Sequence, residues 1–287
     1  MPEIIIPMIT PFRGEEIDYK VLLGFIEYAS ENHYDGLFPG GSTGGFASLS
    51  HEKHAELLKD VIEESAGLKL FAGICRNNVD ETIEMGKKAI DLGYTNLVSI
   101  NPYYHKYSES SVENFFDRII PALDADMYIY NNPSLSGFRL NPDLVERLKE
   151  RHPQVVGMKD SGNDMDDFAK FLKIKGLKVY QGKDAYIHES ILQGAAGGVC
   201  STANFALNTL LLAKNKGDIE KTKAKTKKLV ELVSNYEVPT IHNYLFRRFI
   251  LNEQEPHNYV NPPFVDLKGI PDLMALREST ILPVDNR

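Results

Sequence analysis

Short apolar runs alternate with stretches of helical periodicity along most of the chain. The first run, 4–9, is closed by Thr10-Pro11-Phe12. Asp18 can then cap a helix over 19–32, in which Val21, Leu22, Phe25, Ile26 and Ala29 recur at helical spacing. The alternation repeats. Strands are predicted over 36–39, 69–74, 96–100, 127–130, 155–159, 178–181 and 197–200. Helical patterns follow them over 50–65, 80–92, 111–123, from Asn141-Pro142, 165–173, 185–193 and 206–214. Asn141 is a cap residue and Pro142 a favoured first helical residue.

Strict alternation of strand and helix predicts a parallel sheet, and eight units predict closure into a TIM (β/α)8 barrel over 1–215. An open doubly wound sheet is the structural alternative, but no Gly-x-Gly-x-x-Gly follows a strand. The remainder, 216–287, is helical by pattern, with a Pro-rich interruption at Asn261-Pro262-Pro263. It cannot lengthen a closed barrel, so it is expected to pack outside it or against a neighbouring subunit.

Composition narrows the function. The chain has 287 residues, 43% hydrophobic and 25% charged, which allows a sizeable core. A formal net charge of -8 argues against nucleic acid and against an anionic membrane surface as partners. Met-Pro-Glu-Ile-Ile-Ile lacks the basic start of a signal peptide, and no apolar run approaches a membrane span. Cys75 and Cys200 lie far apart in apolar segments and read as reduced, buried residues of a cytoplasmic protein. No zinc or iron-sulfur spacing is present. His51 and His54, three apart on a helix, read as part of a solvated face, as do the five lysines between 221 and 228.

The chemistry centres on Val155-Val156-Gly157-Met158-Lys159-Asp160-Ser161, a buried strand that ends in a lysine. Burial disfavours an ammonium and favours the free, nucleophilic amine, which forms a Schiff base with a ketone. Taken alone, Lys159 fits equally well a surface lysine paired with Asp160. Barrel enzymes, however, gather their site at the C-terminal strand ends. Tyr130 ends the neighbouring strand, and Ser42 and Thr43 follow the second strand in Gly40-Gly41-Ser42-Thr43-Gly44-Gly45. That turn offers hydroxyls and N–H groups to a carboxylate, although it also fits a plain strand-helix turn. It lacks the lysine of a phosphate loop. Tyr130 can move protons, although an aromatic with a satisfied hydroxyl would read the same way. Tyr103 and Tyr104 follow the fourth strand, Gly182 the seventh, and Gly198 and Val199 lie in the eighth.

Gly41-Ser42-Thr43-Gly44, Tyr130-Asn131-Asn132-Pro133 and Gly157-Met158-Lys159-Asp160 resemble, in order and spacing, the dihydrodipicolinate synthase and N-acetylneuraminate lyase superfamily. The likeness runs from Pro7 and Thr10-Pro11-Phe12 to the helical tail. It implies a Schiff-base pyruvate aldolase on a TIM barrel with a C-terminal helical extension, needing no metal and no organic cofactor because the substrate is held covalently. Lys159 matches the Schiff-base lysine, Tyr130 the proton-shuttling tyrosine, and Ser42 and Thr43, beside Gly41, the hydroxyl pair on the keto-acid carboxylate. Tyr104 matches the tyrosine that, in synthase members, reaches across a subunit interface to complete a proton relay, and Gly198 and Val199 the lining of the pyruvate end. Such enzymes are commonly homotetramers, dimers of dimers.

Departures from pattern suggest which branch. The synthase branch has an arginine two residues after the motif proline, where this chain has Leu135. That removes a bidentate partner for a dicarboxylate. Ser42 and Leu135-Ser136-Gly137 resemble the sialate lyases, but Ala185 stands where those place a glutamate. The opening segment and Lys159-Asp160-Ser161 resemble archaeal 2-keto-3-deoxygluconate aldolases most. That implies cleavage of a 2-keto-3-deoxy sugar acid, free or as the 6-phosphate, to pyruvate and glyceraldehyde or its 3-phosphate, as in Entner-Doudoroff-type catabolism. Ser161, with Asp160 and Gly182, would face the sugar hydroxyls, and Tyr104-His105-Lys106 could supply a cation to a phosphate. A sialate lyase, a keto-deoxy-acid dehydratase and a non-catalytic binding barrel are the alternatives.

Overall fold

The computed structural model describes residues 1–65, 67–206, 210, 219–267, 269 and 272–279. The described residues form ten strands: β1 Glu3–Pro7, β2 Phe12–Arg13, β3 Glu16–Ile17, β4 Gly36–Phe38, β5 Lys69–Gly73, β6 Asn96–Ile100, β7 Asp126–Asn131, β8 Val155–Asp160, β9 Lys178–Gln181 and β10 Gly197–Gly198. Eight of them close into a parallel barrel in the order β1-β10-β9-β8-β7-β6-β5-β4, with β4 returning to β1. The fold is therefore the TIM (β/α)8 barrel. β2 and β3 form an antiparallel hairpin that the apolar pattern did not reveal.

Helices start where the sequence provides caps. Asp18, Ser50, Asn78, Ser108, Asn141 and Asp164 each accept a backbone N–H with the side chain and open the helices between the barrel strands. Each helix buries its apolar stripe against the outward residues of the strands. Leu144, Val145 and Leu148, for example, join Met127, Ile129 and Met158 in one cluster. The inward residues Ile5, Phe38, Phe71, Val98, Tyr128, Tyr180 and Val199 fill the barrel itself.

The expected helix over 206–214 falls largely outside the described residues, as does the expected boundary at 215–216. The chain beyond it forms the helices Ile219–Val233, Val238–Phe249 and Leu273–Ser279. The first two pack on the barrel from outside, and the third packs on the first. Arg247, 3% exposed, donates to the Phe12 carbonyl and to Asp18 at 3.0 Å. Phe246 meets Phe25 with ring centroids 4.8 Å apart. The extension is thus anchored to the hairpin and first helix, and its second helix reaches over the C-terminal mouth of the barrel.

Candidate active site

One irregularity aims the central lysine. Met127 pairs with Val155, but the next residue, Tyr128, pairs with Gly157, so β8 carries one extra residue there. Val155 and Met158 face the helices. Val156 packs on the interior cluster, and a Cβ on Gly157 would lie 2.5 Å from the Tyr128 ring. Two consecutive residues therefore face inward, as a β-bulge requires. An unbroken alternation from Val155 would turn Lys159 outward; with the bulge it points into the barrel. From there Tyr130 pairs with Lys159 and Asn131 with Asp160.

Lys159 is 6% exposed, and its Nζ lies 4.4 Å from the Tyr130 ring centroid and 5.3 Å from that of Phe38. Gly182 makes room for it. A Cβ at 182 would sit 2.1 Å from Ser161 Oγ and 3.1 Å from Lys159 Cε. Tyr130 is 3% exposed, and its hydroxyl accepts from Asn132 Nδ2 at 2.8 Å. Burial pushes this phenol up, but Lys159, Asn132, Ser42 and Ser161 outweigh it, and the net position is below the ordinary tyrosine value.

These groups line a cavity of about 770 Å³ that opens at the C-terminal face. Ser42, Thr43, Tyr103, Tyr130, Lys159, Ser161, Gly182 and Val199 contribute to its wall. Ser42 Oγ is buried without a formed hydrogen bond, and so is open to a ligand. The turn that carries it is bent by Gly40 at φ 72°, and a Cβ there would lie 2.3 Å from His54 Nε2. Gly41, Gly198 and Pro7 act from behind the wall. The Gly41 carbonyl accepts from Gly44 and Phe46, and the Pro7 carbonyl from Asn204 Nδ2 at 2.9 Å. A Cβ on Gly198 would strike Ile187 Cδ1 at 2.3 Å.

Several expectations need correcting. His54 is not on a solvated face. It is completely buried beneath the Gly40 turn, and burial holds its pKa down at about 3. Asp160 does not face the cavity. Its carboxylate accepts from Asn131 Nδ2 at 2.6 Å and Gly162 N at 3.2 Å, pinning the loops after β7 and β8 together. Burial is the larger influence and raises its pKa to about 6. Tyr104-His105-Lys106 does not line the cavity, and Tyr104 stands 88% exposed at φ 82°, an uncommon conformation for a non-glycine residue. Among the described residues, the lysine on the wall besides Lys159 is Lys183. Among the described residues no cluster of three or more His, Cys, Asp or Glu could hold a metal ion, and no helix is long and apolar enough to cross a membrane.

Sequence reasoning missed Asn132, Asn163, Lys183 and Asp184, and the extension's Tyr236, Glu237 and His242, all on the wall. The repeated Asn131-Asn132 in a strand-end motif was the one available signal for the first. The extension residues had none, since 216–287 shows no motif.

A closed barrel with a strand-end lysine, a facing tyrosine and a hydroxyl pair over one cavity defines the class of the lyase barrels. The model of the dihydrodipicolinate synthetase family matches residues 1–267, and the chain belongs to that family. It is 29% identical to the 2-dehydro-3-deoxy-D-gluconate/2-dehydro-3-deoxy-phosphogluconate aldolase of Picrophilus torridus, over 85% of this chain and 95% of that one. It is 30% identical to a 4-hydroxy-tetrahydrodipicolinate synthase of Listeria innocua, over 93% and 94%. The solved 2-keto 3-deoxygluconate aldolase of Picrophilus torridus superposes with a TM-score of 0.84, covering 93% of this chain and 98% of that one. A Bacillus anthracis dihydrodipicolinate synthase structure, 23% identical, shares the fold with a TM-score of 0.88 over 99% of both chains.

Proposed function

We propose that the protein is a Schiff-base aldolase that reversibly cleaves 2-keto-3-deoxygluconate to pyruvate and glyceraldehyde. The observation that carries this reading is the approach of Lys159 Nζ to Tyr130 in one cavity with Ser42 and Thr43. Lys159 adds to the C2 ketone, and loss of water gives an iminium. Tyr130 takes the C4 hydroxyl proton, the C3–C4 bond breaks, and its electron pair moves into the iminium as an enamine. Protonation at C3 and hydrolysis release pyruvate and free the lysine. Ser42 and Thr43 hold the carboxylate so that C2 faces the amine. Neither a metal nor an organic cofactor is required by this sequence of steps.

The rest of the wall suits a hydroxylated chain. Ser161 and Asn163 offer hydroxyl and amide groups. Leu135 and Ala185 both line the cavity, so the arginine of the synthases and the glutamate of the sialate lyases are missing from positions that would have faced substrate. The likeness to the Picrophilus torridus enzyme, whose name covers both the free and the phosphorylated acid, supports the same substrate class. Lys183 is the group that would meet a 6-phosphate. Tyr104, turned outward, suits a homotetramer in which it completes a neighbouring subunit's relay.

The test is pyruvate release from 2-keto-3-deoxygluconate, followed with a coupled dehydrogenase. Equal amounts of pyruvate and glyceraldehyde are expected. No cleavage of the free or phosphorylated acid by folded protein would overturn this substrate assignment.

A further inference from the structure

The Tyr130 hydroxyl has a neighbour that the cleavage steps leave unused. Asn132 is 7% exposed and lines the cavity. Its Nδ2 donates to Tyr130 Oη at 2.8 Å, and its Oδ1 accepts from Ser134 Oγ at 2.7 Å. Its backbone carbonyl is fixed as well, accepting from Leu135 N at 3.1 Å, Ser136 N at 3.0 Å and Ser136 Oγ at 3.1 Å in the short turn Pro133–Ser136. The amide is therefore held at both ends, with one N–H aimed at the phenol.

We infer that Asn132 is a positioning residue for proton transfer: its amide, held by Ser134, donates to the Tyr130 oxygen, favours the deprotonated form over the protonated one and directs that oxygen at the substrate hydroxyl.

The surroundings fit an anion. Ser42 and Ser161, on the loops after β4 and β8, line the same cavity, and Lys159 Nζ on β8 lies 4.4 Å from the centroid of the ring. Cys75, Tyr128 and Tyr180 share the interior cluster and are held neutral, their acidities weakened chiefly by burial. Hydrogen bonds to the charged form of a group favour that form, and those to an anion are about twice as strong as neutral ones. A flipped amide would have the opposite effect. It would present Oδ1 to the phenol and require the phenol to keep its proton.

This inference rests on Tyr130 as the proton-transfer group, and its test is independent of turnover. The chain has 14 tyrosines, so Tyr130 is isolated as the phenolate absorbance of wild type minus that of Tyr130→Phe during a pH titration of ligand-free protein. Asn132→Leu keeps the approximate shape and removes the donor. Its Tyr130 midpoint is expected to rise by about one pH unit. Ser134→Ala, which only loosens the amide, is expected to give a smaller rise. An unmoved or lowered midpoint in folded Asn132→Leu overturns the inference. If that variant does not fold, an unmoved midpoint in Ser134→Ala does so. Trapping of pyruvate on Lys159 of wild type is measured in parallel. Trapping with an unmoved midpoint keeps the aldolase reading and rejects the role of Asn132, whereas a raised midpoint without trapping does the reverse.

Discussion

Tyr130 and Lys159 are direct register partners on β7 and β8, with Lys159 Nζ 4.4 Å from the Tyr130 ring centroid. Their pairing places a nucleophilic amine and a proton acceptor on the same inner wall. The two act at different steps, so their variants should fail differently. Tyr130→Phe is expected to form the pyruvate adduct and to lose cleavage by about 10²- to 10⁴-fold. Lys159→Ala is expected to lose both. Stopped-time trapping beside a steady-state assay separates them, and loss of the adduct in folded Tyr130→Phe would place the tyrosine in Schiff-base formation instead.

Gly182 is predicted to be intolerant of any side chain. In Gly182→Ala the new carbon would meet Ser161 Oγ at 2.1 Å and the Asp160 carbonyl at 2.9 Å, with Lys159 Cε at 3.1 Å. Ser161 must move and the lysine must give by a few tenths of an ångström, and adduct formation should slow by about tenfold, since a misplacement of about 1 Å costs roughly a hundredfold. The rate of borohydride-trapped labelling, compared at equal folded protein, checks this.

Asp160 gives a pH signature in stability. Its carboxyl is raised, mainly by burial, from 3.8 to about 6. Between these values the folded state binds more protons than the unfolded state, so stability falls as pH rises through roughly 4 to 6. The loss amounts to about 3 kcal/mol at two pH units and 1.36 kcal/mol per unit. Asp160→Asn keeps an acceptor for Asn131 and cannot ionise. The wild type should therefore lose stability relative to it across that window, measured by denaturant unfolding at several pH values.

Tyr104 is expected to act in a neighbouring subunit. Tyr104→Phe and Lys159→Ala chains, each impaired alone, should regain activity when co-expressed. A mixed assembly contains sites with an intact lysine from one chain and an intact tyrosine from the other. Activity equal to the sum of the two parents would contradict that arrangement.

The barrel was legible because its strands are continuous apolar runs and its helices carry side-chain caps; the predicted 96–100, 178–181 and 142 start coincide with β6, β9 and the helix Pro142–Arg151. The hairpin β2-β3 was not, since two strands of two residues leave no periodicity. Placement of Lys159 at a strand end could be read directly, but its inward direction depends on the bulge at Val156 and Gly157, which no alternation rule foresees. Asp160 looked like a substrate ligand because it follows the lysine, yet the same alternation turns its carboxylate toward Asn131. Lys183 stands next to Gly182 at the end of β9, whereas His242 reaches the site only when the extension folds over the barrel mouth.

The most direct measurement is mass spectrometry after incubation with pyruvate and borohydride, followed by peptide mapping. One reduced pyruvyl group per chain is expected, on Lys159, and none on Lys159→Ala. Folded wild-type protein that carries no adduct, or carries it on another lysine, would rule out Lys159 as the Schiff-base nucleophile.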